Sequence, residues 1–269
     1  MIKFVANLGM LFTEHPLLER FQKAAEAGFR VVEIWSPIEA EPQELAQAIK
    51  AAGVELLQFN LDAGDMAAGD RGFLALPEQK ERFRSGYEMA VQLAGLYGAR
   101  QVNCLAGNKT AANSREEQLA CLKDNLEWLH PQLEANDLYL NVELLNKYHS
   151  PDYILGQSGE LFSILDELDL PRIGFQYDFF HIQLQEGNLV TTLRQNLPRV
   201  GHIQIADAPD RHQPGTGEIN YRYVLGEIEA MGYDKYVSLE YAPLGTTEES
   251  LAWLPVECRV QAQAADLAL

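Results

Sequence analysis

Eight short segments rich in β-branched or aromatic residues carry a polar residue near their C-terminal ends. These residues are Asn7, Glu33, Asn60, Asn103, Glu143, Asp178, Gln204 and Glu240. Four of them are carboxylic acids, which can bind metal ions or transfer protons. Residues two apart on a strand share a face, so more polar side chains lie beneath four of the ends. The residues beneath are Asn141, Gln176, His202 and Ser238.

The last four polar ends form a set whose donor atoms are all oxygens: Glu143, Asp178, Gln204 and Glu240. Burying unpaired carboxylates is costly, and a divalent cation is the natural compensation. Oxygen donors without cysteine or an obligatory imidazole favour Mg²⁺ or Mn²⁺ over Zn²⁺. Salt bridges to Lys or Arg are the alternative, but the interiors of these four segments contain neither residue. The pattern therefore predicts one divalent metal ion at these ends.

Stretches with helical periodicity separate the eight segments, and several of them end in glycine. Strand followed by helix, repeated eight times, predicts a parallel sheet closed into a (β/α)8 TIM barrel. The length of 269 residues suits one such barrel as a single domain over residues 1–269. A doubly wound open sheet is the main alternative, but the first turn lacks the glycine pattern of dinucleotide-binding folds. Active sites of TIM barrels lie at the C-terminal ends of the strands, where the polar residues are.

Two segments stand apart from this regular alternation. Residues 61–77, after the third strand, are rich in Gly and Asp and have no helical period. A functional lid and a surface insertion both fit such a loop. The tail after residue 253 has no role that the sequence assigns, and we expect a short helix there.

The overall composition narrows the class of protein. A net charge of −18 makes nucleic acid a poor partner. The sequence has no run of about 18 apolar residues, so we expect no transmembrane helix. Its first residues resemble a strand rather than a signal peptide. Three scattered cysteines do not form a disulfide framework. We expect a cytoplasmic protein with reduced thiols, a small-molecule partner and possible homo-oligomerisation.

Six segments resemble a known family almost from end to end. They are ANLGMLFTE (6–14), FNLDAGDMAAGDRG (59–72), VELLN (142–146), YDFFHIQLQEGNL (177–189), HIQIADAPDRHQPGTGEINY (202–221) and LEYAPLGTTEESL (239–251). They are similar to the hydroxypyruvate isomerase and 2-oxo-tetronate isomerase family of the xylose-isomerase-like TIM barrels. The loop NKYHSPDYIL (146–155) departs from the family's usual Pro-Gly-Tyr-like turn, which bears on substrate identity.

The resemblance implies an isomerase acting on a small hydroxy-carbonyl acid. Hydroxypyruvate, converted to tartronate semialdehyde, and a 2-oxo-tetronate are the implied substrates. The family's metal ligands fall on Glu143, Asp178, Gln204 and Glu240, and its two catalytic residues fall on Glu143 and Glu240. Proton transfer between adjacent carbons through an enediolate needs a base and an oxyanion stabiliser. A hydride shift is an alternative route.

Three further residues are candidates for substrate contacts. His181 follows Asp178 by three residues and can hydrogen-bond a substrate oxygen. Arg211 in the seventh-strand loop and Arg71 in the third-strand loop can pair with a substrate carboxylate. A solvated loop position is the alternative for each of the three.

Other functions fit parts of the pattern. A ketose 3-epimerase of the same superfamily uses the same paired glutamates, but commonly has His where Gln204 stands. A metal phosphodiesterase of the endonuclease IV type needs many histidines for three zinc ions, and this chain has six in all. A non-catalytic sugar-acid binding protein would not need both flanking glutamates.

Overall fold

Eight parallel strands close into a barrel in chain order, with β1 paired to both β2 and β8. The computed structural model describes residues 1–269. Every strand overlaps a segment predicted from the sequence, so the predicted (β/α)8 barrel is confirmed. The strands are β1 (Ile2–Asn7), β2 (Val31–Glu33), β3 (Glu55–Asn60), β4 (Gln101–Leu105), β5 (Tyr139–Glu143), β6 (Ile173–Asp178), β7 (Val200–Ile205) and β8 (Tyr236–Leu239).

Helices follow the strands and cover the outside of the barrel. Local signals place their ends: Ser114 and Glu117 form a capping box before the helix Arg115–Ala135. Gly53 and Gly98, both in the left-handed conformation, end the helices Pro42–Ala52 and Lys80–Tyr97. The helices are α1 (Leu17–Glu26), α2 (Pro42–Ala52), α3 (Lys80–Tyr97), α4 (Arg115–Ala135), α5 (Ser158–Leu168), α6 (Phe179–Gln185), α7 (Leu189–Asn196), α8 (Tyr221–Ala230) and α9 (Thr247–Ser250).

The hydrophobic core and the barrel interior differ in chemistry. One cluster of 76 buried apolar residues contains residues from the strands and from the helices around them. TIM-barrel interiors are usually filled by branched apolar residues. Here the interior also holds buried polar side chains that hydrogen-bond one another or Glu143 across the barrel: Asn7, Glu33, Gln58, Asn103, Gln176, His202, Gln204 and Ser238.

The two segments outside the regular alternation behave differently. Residues 61–76 form turns without helix or strand, as their composition predicts. The tail does not form the short α-helix that we expected. Two 3-10 turns flank a short strand, β9 (Gln261–Ala262), which pairs antiparallel with Ile2 and Lys3 at the start of β1. The short β2 pairs with β1 only at Ala6 and Asn7. The first residues of β1 therefore have a free edge with which the tail can pair.

No helix in the structure combines the length and the apolar character needed to cross a membrane. Cys104, Cys121 and Cys258 are all free and buried.

Candidate active site

Carboxylates from the ends of β5 and β6 meet a histidine at the C-terminal face of the barrel. Glu143 ends β5, Asp178 ends β6, and His181 lies in the first turn of α6, which begins directly after Asp178. One donor atom from each of the three lies within 4.8 Å of the others, and all three side chains are buried. The strand ends therefore form a cluster of ionisable groups, although the three residues are up to 38 positions apart in the chain.

Glu143 is fixed on one side and free on the other. Its Oε2 accepts hydrogen bonds from Asn103 Nδ2 at 2.6 Å and from Gln176 Nε2 at 2.9 Å. Its Oε1 lies 3.9 Å from His181 Nε2. Burial, followed by repulsion from Glu240 and Asp178, raises the pKa of Glu143 well above its ordinary value.

The two carboxylate oxygens of Asp178 have different roles: one caps a helix and the other faces the site. Oδ1 accepts the Phe180 backbone N–H at 2.8 Å and so caps the N-terminus of α6. Oδ2 lies 3.6 Å from His181 Nε2 and 3.5 Å from Arg211 Nη2. Burial raises the pKa of Asp178 to about 7; Arg211 opposes the rise and Glu240 adds to it.

Glu240 follows β8 and carries the third carboxylate. Oε1 accepts from Trp35 Nε1 at 2.7 Å and from Asn7 Nδ2 at 3.1 Å, while Oε2 accepts from Arg211 Nη2 at 2.5 Å. The pKa of Glu240 is raised, because the effect of burial exceeds the opposing effect of Arg211. All three carboxylates thus have raised pKa values, as expected where negative charge is crowded and buried.

Gln204 stands beside Asp178 in the pairing of β6 with β7. Its Nε2 donates to Glu33 Oε1 at 2.8 Å, and its Oε1 is buried without a hydrogen-bond partner. Native proteins rarely bury a polar atom unpaired, and a bound ion is one explanation when they do. An oxygen-only donor set with one orphaned oxygen fits a hard divalent cation.

Arg211 is the one cationic side chain that contacts these carboxylates. It lies in the loop after β7. Asp207 accepts backbone N–H bonds from five residues of this loop, Ala208, Gly215, Thr216, Gly217 and Ile219. Arg211 itself has a left-handed φ of 60°, and its guanidinium lies 5.1 Å from the centre of the Phe180 ring. Arg211 pairs with Asp178 and Glu240 but not with Glu143, so its guanidinium does not compensate all three carboxylates.

The Nε2 atom of His181 is a hydrogen-bond donor towards the site rather than an acceptor. The Asn146 backbone N–H donates to His181 Nδ1 at 3.0 Å, so Nδ1 is the acceptor. Burial, with smaller contributions from Arg211 and His149, lowers the pKa of His181 well below its ordinary value. The neutral ring therefore carries its proton on Nε2, which suits donation to a substrate oxygen better than metal binding.

Comparison with known proteins identifies the family of this chain. The family model described as xylose isomerase-like TIM barrel matches residues 21–256. The chain belongs to this family. It is 39% identical to the hydroxypyruvate isomerase of Escherichia coli over 94% of this chain and 98% of that protein, and 35% identical to the 2-oxo-tetronate isomerase of Cupriavidus necator over the same shares. The crystal structure of an AP endonuclease, family 2, from Brucella melitensis matches with a TM-score of 0.90 and 33% identity, over 94% of this chain and 98% of that chain.

Membership of the xylose isomerase-like family, with isomerases among the most similar relatives, makes the chain an enzyme of the isomerase class. Its candidate site opens into a cavity of about 590 Å³. Glu143, Glu240, His181 and Arg211 line this cavity. Its apolar lining residues include Trp35, Pro37, Ile38, Met66, Met89 and Leu93.

Arg71 is the candidate that lies apart from the others. It is not among the residues that line the cavity. Its guanidinium donates to Ser150 Oγ at 2.9 Å and to the backbone oxygens of Asp70 at 2.6 Å and Met66 at 3.0 Å. Arg71 ties the third-strand loop to the loop after β5, and its proposed role in substrate binding stays a prediction.

Two contacts of this site do not follow from the sequence pattern. Asn146 orients His181, and its position three residues after Glu143 is the available signal. Trp35 follows β2 as an aromatic residue suited to a pocket wall, yet it donates a hydrogen bond to Glu240. Both contacts depend on loop paths, which strand periodicity does not describe.

Proposed function

We propose that the chain is a metal-dependent isomerase of a small hydroxy-carbonyl acid. Hydroxypyruvate, interconverted with tartronate semialdehyde, is the proposed substrate, with a 2-oxo-tetronate as the related possibility. The observation that carries the proposal is the pair of buried glutamates, Glu143 and Glu240, that line one cavity. The unpaired amide oxygen of Gln204, which is paired in register with Asp178, supports it. The named activities of the relatives from Escherichia coli and Cupriavidus necator support the same substrate class.

Glu143, Asp178, Gln204 and Glu240 would hold the metal, for which we propose Mg²⁺ or Mn²⁺. The raised pKa values of the three carboxylates and the orphaned Gln204 Oε1 support a bound divalent cation. Such an ion supplies positive charge that stabilises a developing oxyanion and orients the substrate.

Glu143 and Glu240 are proposed to move the carbon-bound proton. They stand on strands three positions apart in the ring and can approach a planar enediolate from two sides. One carboxylate removes a proton from the hydroxyl-bearing carbon, and the other, or the same one, returns a proton to the neighbouring carbon. The hydroxyl proton moves between the two substrate oxygens in the same conversion. A raised pKa makes a carboxylate a stronger base, which suits this task.

His181 and Arg211 are proposed to bind the substrate. The Nε2–H of His181 can donate to a substrate oxygen near Glu143 and Asp178. Arg211 lines the cavity with a guanidinium that can pair with a carboxylate. The acidic protein as a whole repels an anionic substrate, so the site needs a local cationic group or a metal.

Two alternatives make different demands on the site. An endonuclease of the three-zinc type, an activity also suggested by the name of the Brucella melitensis protein, needs several histidines around the ions. Of the six histidines, only His181 lines the cavity. A ketose 3-epimerase would use the same glutamates on neutral sugars, and Gln204 in place of His argues against it.

An activity screen tests the proposal. The purified protein, loaded with Mg²⁺ or Mn²⁺, is assayed against hydroxypyruvate, 2-oxo-tetronates and neutral ketoses. We expect turnover of one of the two acids. Turnover of neutral ketoses alone would favour the epimerase, and absence of turnover on all three groups would contradict the proposal.

Metal content provides the first prediction. We expect one Mg²⁺ or Mn²⁺ per chain by elemental mass spectrometry after equilibration and removal of free ions. At a free concentration of 100 times Kd, the ion should raise the free energy of unfolding by about 2.7 kcal/mol. Three zinc ions per chain would support the nuclease instead, and a chain without metal would contradict the site.

The second prediction concerns the substrate's carboxylate. Changing Arg211 to Ala should lower kcat/KM for the acid substrate by roughly 10–150-fold, because hydrogen bonds to charged groups contribute about 1.5–3 kcal/mol. Neutral ketoses, if turned over, should be affected much less. Arg222→Ala is the matched comparison, since Arg222 is exposed on α8, donates to the Leu269 carbonyl and does not line the cavity. Equal losses for acids and neutral sugars in Arg211→Ala would show that it does not clamp a carboxylate.

A further inference from the structure

Glu33 ends β2, is 1% exposed and accepts a hydrogen bond from Gln204, one of the proposed metal ligands. It does not line the cavity, so it does not touch a substrate there. Its two oxygens accept hydrogen bonds from five side chains on β1, β3, β7 and β8. The donors are Asn7 Nδ2 at 2.7 Å, Gln204 Nε2 at 2.8 Å, Ser238 Oγ at 2.6 Å, Gln58 Nε2 at 3.1 Å and His202 Nε2 at 2.8 Å.

The carboxylate of Glu33 controls which way the surrounding amides face. An ionised carboxylate only accepts hydrogen bonds, whereas an amide offers NH₂ at one end and oxygen at the other. Gln204 turns its Nε2 towards Glu33, so its Oε1 points away and is left unpaired. A neutral or donating residue at position 33 would remove the reason for this orientation.

Asn7 connects Glu33 to Glu240, because its NH₂ group faces both carboxylates. The Nδ2 of Asn7 donates to Glu33 at 2.7 Å and to Glu240 Oε1 at 3.1 Å. The Oδ1 of Asn7 accepts the backbone N–H of Gly9 at 2.9 Å, which fixes the amide from its other end.

A second chain of amides extends from Glu33 to Glu143. Gln58 Nε2 donates both to Glu33 and, at 2.8 Å, to Gln176 Oε1. Gln176 then turns its Nε2 to Glu143 Oε2 at 2.9 Å. Glu33 is thus connected, by one or more directed hydrogen bonds, to Gln204, Glu240 and Glu143.

We propose that Glu33 is a positioning residue of the metal site, whose buried carboxylate makes the surrounding amides turn their NH₂ groups inward. Gln204 consequently offers its oxygen to the metal, and Glu143 and Glu240 are held in place by donors. The inference rests on the proposed metal site. Residues that orient metal ligands in this way commonly change metal affinity by about 10–100-fold when altered.

The test is Mn²⁺ binding by the metal-free protein, measured by electron paramagnetic resonance of free Mn²⁺ during titration. Glu33→Gln keeps the side-chain volume but replaces one acceptor oxygen with NH₂, so at least one neighbouring amide must turn or lose its bond. We expect Mn²⁺ affinity to fall about 10–100-fold in the folded variant. Ser238→Ala is the matched control: it removes one donor to Glu33 without touching an amide, and it should keep Mn²⁺ affinity while lowering thermal stability.

A charge-conserving exchange separates positioning from general disruption. In the double variant Glu33→Gln/Gln204→Glu, a carboxylate at position 204 can accept from the new amide at position 33 with one oxygen and offer the other to the metal. We expect its Mn²⁺ affinity to return to within a few-fold of the wild-type value. If Glu33→Gln does not fold, the double variant should still bind Mn²⁺ more tightly than Gln204→Glu alone, which places two carboxylates against each other.

Three outcomes would overturn the inference. A folded Glu33→Gln with wild-type Mn²⁺ affinity would show that Glu33 does not direct the ligands. A double variant no better than the relevant single variant would show the same. A wild-type chain that binds no Mn²⁺ would overturn the metal site itself and the inference with it, so the two failures are distinguishable.

Discussion

Changing Glu143 or Glu240 to Gln is expected to lower kcat by at least about 10²–10⁴-fold, the usual contribution of general acid–base catalysis. Gln retains a carbonyl oxygen but cannot accept the carbon-bound proton. The fold should tolerate the change at Glu143, since a Gln oxygen can still accept from Asn103 and Gln176. The variants should still bind much of the metal. The kcat is measured at saturating Mn²⁺, so that weaker metal binding does not affect the measured value.

Glu44→Gln serves as the control for this prediction, because Glu44 is exposed on α2 and does not line the cavity. It should keep the wild-type kcat. Near-normal kcat in the Glu143 and Glu240 variants would mean that these residues act only as ligands. The proposed proton transfer would then be wrong.

Asp178→Asn is expected to weaken Mn²⁺ binding by more than about 100-fold, since altering residues that merely support ligands already costs 10–100-fold. Asn is as good an N-cap as Asp, so the cap on α6 at Phe180 should survive and the variant should fold. The loss therefore reports the missing charge at Oδ2. Excess Mn²⁺ should restore part of the activity, because Asp178 is proposed to bind metal without transferring the proton.

Asp137→Asn is a suitable comparison, since Asp137 is exposed and pairs with Arg100 and Arg172 away from the cavity. Titration of both variants with Mn²⁺, together with thermal unfolding, measures the effect. Unchanged Mn²⁺ affinity in a folded Asp178→Asn would exclude Asp178 as a ligand.

Strand periodicity predicted the barrel because each strand combines a β-branched segment with a polar end, and parallel strands bring those ends to one face. The same period of two placed Gln176 and His202 inside the barrel beneath the polar ends. Sequence alone did not indicate which way these side chains face, because a hydrogen-bond direction depends on partners from distant strands. Glu33 illustrates this: its five donors come from residues up to 205 positions away.

Loop-borne residues were harder to place than strand ends. Arg211 and Arg71 looked equivalent in the sequence, yet only Arg211 returns to the cavity. The difference lies in the backbone: Asp207 folds the seventh-strand loop around its carboxylate, whereas Arg71 is held by carbonyl groups within the third-strand loop. Such paths result from tertiary contacts, as does the pairing of the tail with β1.

Proton NMR of hydroxypyruvate in D₂O with the Mg²⁺-loaded protein tests the central claim most directly. We predict metal-dependent loss of the hydroxypyruvate methylene signal and formation of tartronate semialdehyde with deuterium at the carbon next to the carboxylate, where a solvent-exchanged proton is returned. The metal-free protein and Glu240→Gln should give neither change. With the metal-loaded protein, an unchanged methylene signal of hydroxypyruvate together with an unchanged C3 proton signal of a 2-oxo-tetronate would contradict the account. Product without deuterium would contradict the solvent-exchanging proton route.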